Sequence, residues 1–279
     1  MIRRAKADDR AALEALYDIC FPGEPGFRVW FFDRVWRPEN TLVWEESGGL
    51  PSAVQVIPMA LGLGGEAFAS HYIYAAGTRP DFRGRGIMGR LLDRAFEDGT
   101  AAGQDFSCLI TENDSLFAFY RPFGYECIAR VGRFSSKASP PPRGLTVRPA
   151  AEGDTEAIMR IYRAETRKTL AVERNDDYFR LMRELYEENF KVLCDESGDI
   201  KAYCFTEKRQ QDVFVSEAMG PMAGILAAVA GNQTGGETVF QGIAGEGGVS
   251  MGCIKPLTPR GAKALESLEG APYINILFN

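Results

Sequence analysis

Three glycines, Gly84, Gly86 and Gly89, stand in the stretch "TRPDFRGRGIMGRLLDRAFE", spaced G-x-G-x-x-G and followed by apolar residues at helical intervals. Closely spaced glycines ahead of a helix let the backbone approach an anion, which the unpaired N–H groups and dipole of the first helical turn then hold. Three phosphate ligands suit such a turn: a nucleoside triphosphate, a dinucleotide, or the pyrophosphate of coenzyme A. The first needs G-x-x-x-x-G-K-S/T, which is absent. For the second, a strand precedes, a helix follows, and Asp105 lies nineteen residues beyond Gly86. In that fingerprint, however, the first glycine leaves the strand directly and the acid ends the next strand. Here "RPDFR" separates Thr78 from Gly84, and Asp105 precedes the strand "FSCLI".

Other chemistries are poorly provided for. His71 is the only histidine, which argues against a structural zinc site or a histidine-based triad. The six cysteines (Cys20, Cys108, Cys127, Cys194, Cys204 and Cys253) form no C-x-x-C pair and read as reduced core thiols. With 32 basic against 38 acidic side chains, a formal charge of -6, the chain lacks the balance of a nucleic-acid binder and better suits a cationic partner. No apolar run is long enough for a membrane span and the first residues do not resemble a signal peptide, so a cytoplasmic protein with no membrane partner is expected.

The elements that must position the glycine turn can be read around it. "TLVWEE" predicts a strand, and "PSAVQVIPMALGLGGEAFASHYIYAAGT" predicts further strands turned by Gly62, Gly64 and Gly65. Ile87, Leu91, Leu92, Ala95 and Phe96 predict a helix; "GQDFSCLITEN" supplies another strand and "SLFAFYRPFGY" a short helix and turn. The proline-rich "SSKASPPPRG" reads as a connector, giving domains at 1–135 and 145–279 with a linker at 136–144. The openings of the two halves align without gaps at a shift of 145 residues, pairing Arg3 with Arg148, Ala5 with Ala150, Asp9 with Asp154, Ala12 with Ala157 and Tyr17 with Tyr162. Each copy reads as a short strand and then a capped helix, which points to a duplicated unit. In the second unit, helices are expected at Thr155 to Thr169 and Asp177 to Glu187, then strands around "FKVLCDE", "IKAYCFTEK" and "DVFVSEAM".

The segment "RPDFRGRGIMGRLL" resembles the R-x-x-G-x-G/A acetyl-CoA segment of the GNAT N-acetyltransferases, with Arg83 and Gly86 on the pattern and Met88 where Gly or Ala is usual. "FYRPFGY" is similar to that family's F/Y-Y-x-x-x-G-F/Y segment, and "VERNDDYFRLM" to the R-x-x-x-Y-W/F helix of its Eis-type branch, in which two such folds occur in tandem. The resemblance implies an α/β (α+β) chain of two tandem GNAT folds, each a mixed, mostly antiparallel sheet flanked by helices. The sterol-carrier-like third domain of that branch has no counterpart in these 279 residues.

The resemblance further implies acetyl-CoA as cosubstrate and direct transfer to a primary amine of a small molecule or peptide. Ala76, Gly77 and Thr78 would present backbone groups to the pantetheine arm, an N–H near Ala76 stabilising the oxyanion. Gly84, Gly86, Ile87, Met88 and Gly89 would take the pyrophosphate, with Arg83 and Arg85 adding charge. Tyr120 falls on the proton donor to the leaving sulfur, or is a packing aromatic. Asn113 bonds the pantetheine or caps the following helix. His71 is a candidate base if it faces the cleft and not the core; on period-two alternation it shares a face with Ile73, Ala75 and Gly77. The branch's terminal carboxylate would here be that of Asn279.

The aromatic run Phe21 to Trp36 occupies the region that walls the acceptor in such folds, although core packing explains Trp30, Phe31 and Trp36 equally well. Glu24 and Asp33 could attract an amine there. The second unit has no R-x-x-G-x-G, so one cofactor site per chain is expected, and Glu217 reads as a strand-end residue. A non-catalytic acyl-CoA-binding or scaffolding protein is the alternative, and a homo-oligomer is left open.

Overall fold

A computed structural model describes residues 1–23, 25–111, 113–136, 143–209, 212–221, 238–243 and 248–276. The first half runs β1 (Ile2–Arg4), α1 (Arg10–Cys20), α2 (Pro25–Arg34), β2 (Thr41–Glu46), β3 (Gly49–Leu63), β4 (Glu66–Thr78), α3 (Ile87–Ala101), β5 (Phe106–Ile110), α4 (Asp114–Tyr120) and β6 (Glu126–Ser136). The second runs β7 (Thr146–Pro149), α5 (Thr155–Thr166), β8 (Ala171–Val172), α6 (Asp176–Tyr186), β9 (Phe190–Cys194), β10 (Ile200–Arg209), β11 (Asp212–Met219), β12 (Thr238–Ile243), β13 (Val249–Pro256) and α7 (Pro259–Glu266). The strands and helices read from periodicity are present. The linker expected at 136–144 lies, over 137–142, outside the described residues.

The two halves share one sheet in the order β1-β2-β3-β4-β5-β13-β6-β12-β11-β10-β9-β7, with β8 on the edge of β3. Along this path β4–β5 and β11–β12 are parallel and the other pairs antiparallel, so the second half repeats the first. At the seam the halves interlock. β13, late in the chain, inserts between β5 and β6. That exchange also corrects the reading of all six cysteines as free thiols. Cys127 on β6 and Cys253 on β13 form a disulfide across adjacent strands, 126 residues apart in sequence, while Cys20, Cys108, Cys194 and Cys204 are free.

The duplicated openings are duplicated in atomic detail. Arg3 donates to Asp9 at 2.6 Å and Arg148 to Asp154 at 2.5 Å; each aspartate also accepts the backbone N–H three residues earlier, from Lys6 and Ala151, at 2.7 Å in both halves. The arginine beside it, aided by that N–H, holds each carboxyl below its ordinary range. A lowered folded-state pKa stabilises above the unfolded carboxylate pKa, and the benefit is lost as pH falls through the folded one. Asp154→Ala should therefore cost about 1 kcal/mol at pH 7. Urea melts at pH 7 and pH 3 check this, because the deficit should shrink at the lower pH.

Apolar faces fall where alternation puts them. On one side of the sheet Ile87, Leu91, Leu92 and Ala95 of α3 pack with Val54, Ile73 and Leu109; on the other Tyr72 and Phe106 pack with Leu13 and Leu16 of α1 and Phe31 and Phe32 of α2. The core of the second half holds a charged pair. Arg174 and Glu217 are joined through Nη1–Oε1 at 2.5 Å and Nη2–Oε2 at 2.8 Å, both side chains fully buried. Tyr203 and Tyr273 donate their hydroxyls to the same carboxylate, Asn275 adds its Nδ2, and the guanidinium lies over the rings of Tyr162 and Tyr178. Glu217 is thus a buried ion-pair partner and not a simple strand end. A lone acid in a strand carries no sign of an arginine 43 residues away.

Candidate active site

β4 and β5 pair only at Ser70–Phe106, His71–Ser107 and Tyr72–Cys108, while β5 pairs with β13 along its other edge; beyond Tyr72 the β5-facing edge of β4 has no strand partner among the described residues. In the same stretch β4 bulges. Ala53 of β3 faces Gly77 and Gln55 faces Tyr74, so β4 fits one more residue than β3 between the two pairs, and Ala75 takes a φ of 46°. Such a left-handed non-glycine costs about 1–2 kcal/mol and re-aims the neighbouring amides. An alanine gives no sequence signal of this, so alternation passes over the bulge. Ser52, equally silent in the sequence, fixes the strand end by donating to the Gly77 carbonyl at 3.0 Å and contacting the Thr78 hydroxyl at 2.8 Å.

The bulge also breaks period-two alternation. The space a Gly77 side chain would fill is 3.1 Å from Cys20 and Phe21, on the α1 side of the sheet. His71 lies instead on the α3 side, its Cε1 2.9 Å from where a Gly99 Cβ would stand, so it does not share a face with Gly77. It is fully buried and its Nδ1 donates to Gln104 Oε1 at 2.6 Å, while Nε2 has no partner. Burial pushes the imidazole pKa down. Five residues of strand, about 16 Å, separate it from Ala76, so the structure does not bring His71 to the cleft.

A cleft of about 560 Å³ opens beside the free edge of β4 and is lined by Ala76, Thr78, Arg83, Gly84, Arg85, Gly86, Ile87, Met88, Gly89 and Tyr120, together with Phe82, Leu116, Phe119 and Phe123. Gly84 and Gly86 both have positive φ (75° and 67°) with open space where a Cβ would be. Gly89 serves packing instead. A Cβ there would lie 3.1 Å from the Phe123 ring, so the glycine lets α3 approach that wall. Gly86 caps α3 without a side chain, and the first intrahelical bond runs from Arg90 N–H to the Gly86 carbonyl at 3.2 Å. The amides of Ile87, Met88 and Gly89 therefore have no intrahelical acceptor and sit at the positive end of the dipole. Arg83 folds back to donate to the Thr78 carbonyl at 3.0 Å, and Arg85 lies over Phe82 and donates to the Asp81 carbonyl.

Tyr120 ends α4 with its ring edge-on to Phe119 and Tyr125, 8% exposed, and its hydroxyl makes no hydrogen bond among the described residues. Burial pushes the phenol up to about 12. Both readings of its role describe part of the geometry: the ring packs and the hydroxyl is free. Asn113 is the N-cap of α4, its Oδ1 accepting from Ser115 N–H at 2.9 Å and Oγ at 2.6 Å, and it does not line the cleft. The aromatic run splits. Phe31, Phe32 and Trp36 are core, whereas Phe21 is exposed where α1 meets β4 and Trp30 is half-buried. Asp33 pairs with Arg10, and Glu24, like Asn279, lies outside the described residues. Among the described residues no cluster of side chains could hold a metal ion, and no helix is long and apolar enough to cross a membrane.

Residues 1–128 match the family model of the acetyltransferase (GNAT) domain. A search of curated proteins by sequence found no match. Among solved structures, the chain is similar to a GCN5-related N-acetyltransferase from Kribbella flavida (TM-score 0.74, 16% identity, covering 94% of this chain and 73% of that one). It is similar also to a probable N-acyltransferase of unknown function from Enterococcus faecalis V583 (TM-score 0.69, 16% identity, 92% and 70%) and to Eis1 from Mycobacterium abscessus (TM-score 0.65, 15% identity, 92% and 74%). At these identities the likeness is one of fold, and it runs through both halves of the chain. Residues 1–128 match the GNAT acetyltransferase domain, and the chain as a whole shares the fold of GCN5-related N-acetyltransferases.

Proposed function

We propose that the chain is an acetyl-CoA-dependent N-acetyltransferase that passes an acetyl group directly to a primary amine of a small molecule or peptide. The observation that carries this reading is the conjunction, around one cleft, of an unpaired strand edge, uncapped helix amides and an unpartnered buried phenol. The strand edge suits the amides of a pantetheine arm, which would pair with it as one more strand. The α3 amides suit the pyrophosphate. The bulge at Ala75 would leave a neighbouring N–H to hold the thioester oxygen of a bound acetyl-CoA, a contact whose removal elsewhere costs about 3 to 4 kcal/mol.

In the reaction the neutral amine would add to the thioester carbon, placing negative charge on the carbonyl oxygen; the C–S bond then breaks, the nitrogen gives its proton to solvent, and the sulfur leaves as thiolate, to be protonated to the thiol. Only about 1 in 2,500 lysine-like amines is neutral at pH 7, a penalty of roughly 4.6 kcal/mol. His71 is too deeply buried to offset it.

Calorimetry with acetyl-CoA, followed by thiol release with polyamines, aminoglycosides and lysine peptides, tests the proposal. Binding and turnover are expected in the parent chain. Gly86→Val, forced into a positive φ and projecting over the α3 amides, should bind acetyl-CoA at least about tenfold more weakly while remaining folded. Acetyl-CoA binding without turnover on any amine would favour the acyl-CoA-binding scaffold instead, and NAD binding in its place would favour the dinucleotide reading.

A further inference from the structure

The end of the β3–β4 hairpin farthest from the glycine turn closes over a second cavity, of about 310 Å³. The length of β4, on the order of 40 Å, separates it from the cleft described above. Its floor is apolar: Met159 and Tyr162 of α5 and Val172 of β8, with Tyr162 and Val172 buried. Its rim is cationic. Arg163 and Arg167 lie one helical turn apart at the end of α5, and neither forms an ion pair among the described residues.

One acid, Glu173, also lines the cavity, and it forms no ion pair with either arginine among the described residues. Glu173 is folded over the hairpin with its Oε1 in the space a Gly62 Cβ would need, so its one negative charge stands against the two arginines of the rim. Arg174 also lines the cavity; its Nη atoms serve Glu217 while its Nε is buried with no hydrogen-bond partner. An unmade bond at a buried donor is costly, and a ligand or water that reached it would recover part of that cost. In a chain of net charge -6, two arginines against one carboxylate over an apolar floor are a local reversal of sign that repels amines and favours one anionic group. A bare inorganic anion would leave the apolar floor uncovered. A carboxylate with an alkyl or aryl body covers both.

We propose that this cavity binds a medium-length alkyl or aryl carboxylate, its charge on Arg163 and Arg167 and its body against Met159, Tyr162 and Val172. This site is separate from the transferase reading and stands or falls without it. The test is calorimetry of the intact chain with octanoate, against octanol, octylamine and acetate. Octanoate should bind below millimolar, and each of the other three at least about tenfold more weakly. The double change Arg163→Gln with Arg167→Gln should weaken octanoate about tenfold or more by removing the charge, and Met159→Trp should do so by filling the floor. Thermal melts of each variant show whether it folds, and either one that folds serves. No heat with millimolar octanoate, equal affinity for octanol, unchanged affinity in a folded variant, or competition of octanoate with acetyl-CoA would each overturn the proposal.

Discussion

Replacing Tyr120 by phenylalanine is expected to lower kcat about 100-fold while the affinity for acetyl-CoA stays within roughly twofold. The ring packs against Phe119 and Tyr125, and phenylalanine preserves that packing, so the change removes only the hydroxyl facing the cleft. What the hydroxyl does follows from its acidity. With the phenol at about 12 and a thiol near 8.5, complete proton transfer to the leaving sulfur would run about 5 kcal/mol uphill. In the proposed reaction its part would therefore be to donate a hydrogen bond to sulfur as charge develops there, a contact stronger in the transition state than in the bound thioester. The sign of the shift gives a second measurement. A phenol raised above its ordinary 10 stays a neutral donor throughout pH 8 to 10.5, so the kcat profile should show no falling limb from this group there. Stopped-time assays of thiol release on both proteins decide it. Wild-type kcat in the variant, or a falling limb near pH 9 that the variant abolishes, would take the role away.

Arg174→Ala is expected to destabilise the chain by about 3 to 5 kcal/mol, out of a total stability of about 5 to 15. It would leave the Glu217 carboxylate in a dry core with only two tyrosine hydroxyls and the Asn275 amide to hold it. The ion pair itself is not worth that much, since the attraction is largely cancelled by desolvation of both partners. Removing both charges therefore separates the two effects. Arg174→Met combined with Glu217→Leu should recover most of the loss, because neither partner is then stranded. Equilibrium urea melts of the single and double variants measure both quantities, and a single variant less than about 1 kcal/mol below the parent would show that water reaches the cluster.

Local chemistry is legible in the sequence and long-range chemistry is not. The glycine turn, Ala76 and Thr78 at the strand end, and Tyr120 each sit in a short motif whose residues are neighbours in sequence, and the structure gathers them round one cleft, Gly77 alone facing away toward Cys20. The paired Arg3–Asp9 and Arg148–Asp154 caps are readable for the same reason, being six residues apart and present twice. His71 falls on the wrong face because alternation assumes an unbroken strand, and one extra residue near Ala75 inverts every face beyond it. Asn113 allows two readings that only the position of Ser115 separates. The Cys127–Cys253 bond and the Arg174–Glu217 pair join residues that no window of sequence contains together.

The interlocked seam has a consequence for how the chain comes to be folded. Until Val249–Pro256 has been synthesised, the facing edges of Phe106–Ile110 and Glu126–Ser136 have no strand between them, although everything else in the first half is already made. A ribosome adding about 5–20 residues per second would leave those edges open for several seconds, unpaired and able to template association with another nascent chain. The half that holds the glycine turn is thus completed last, although it is translated first.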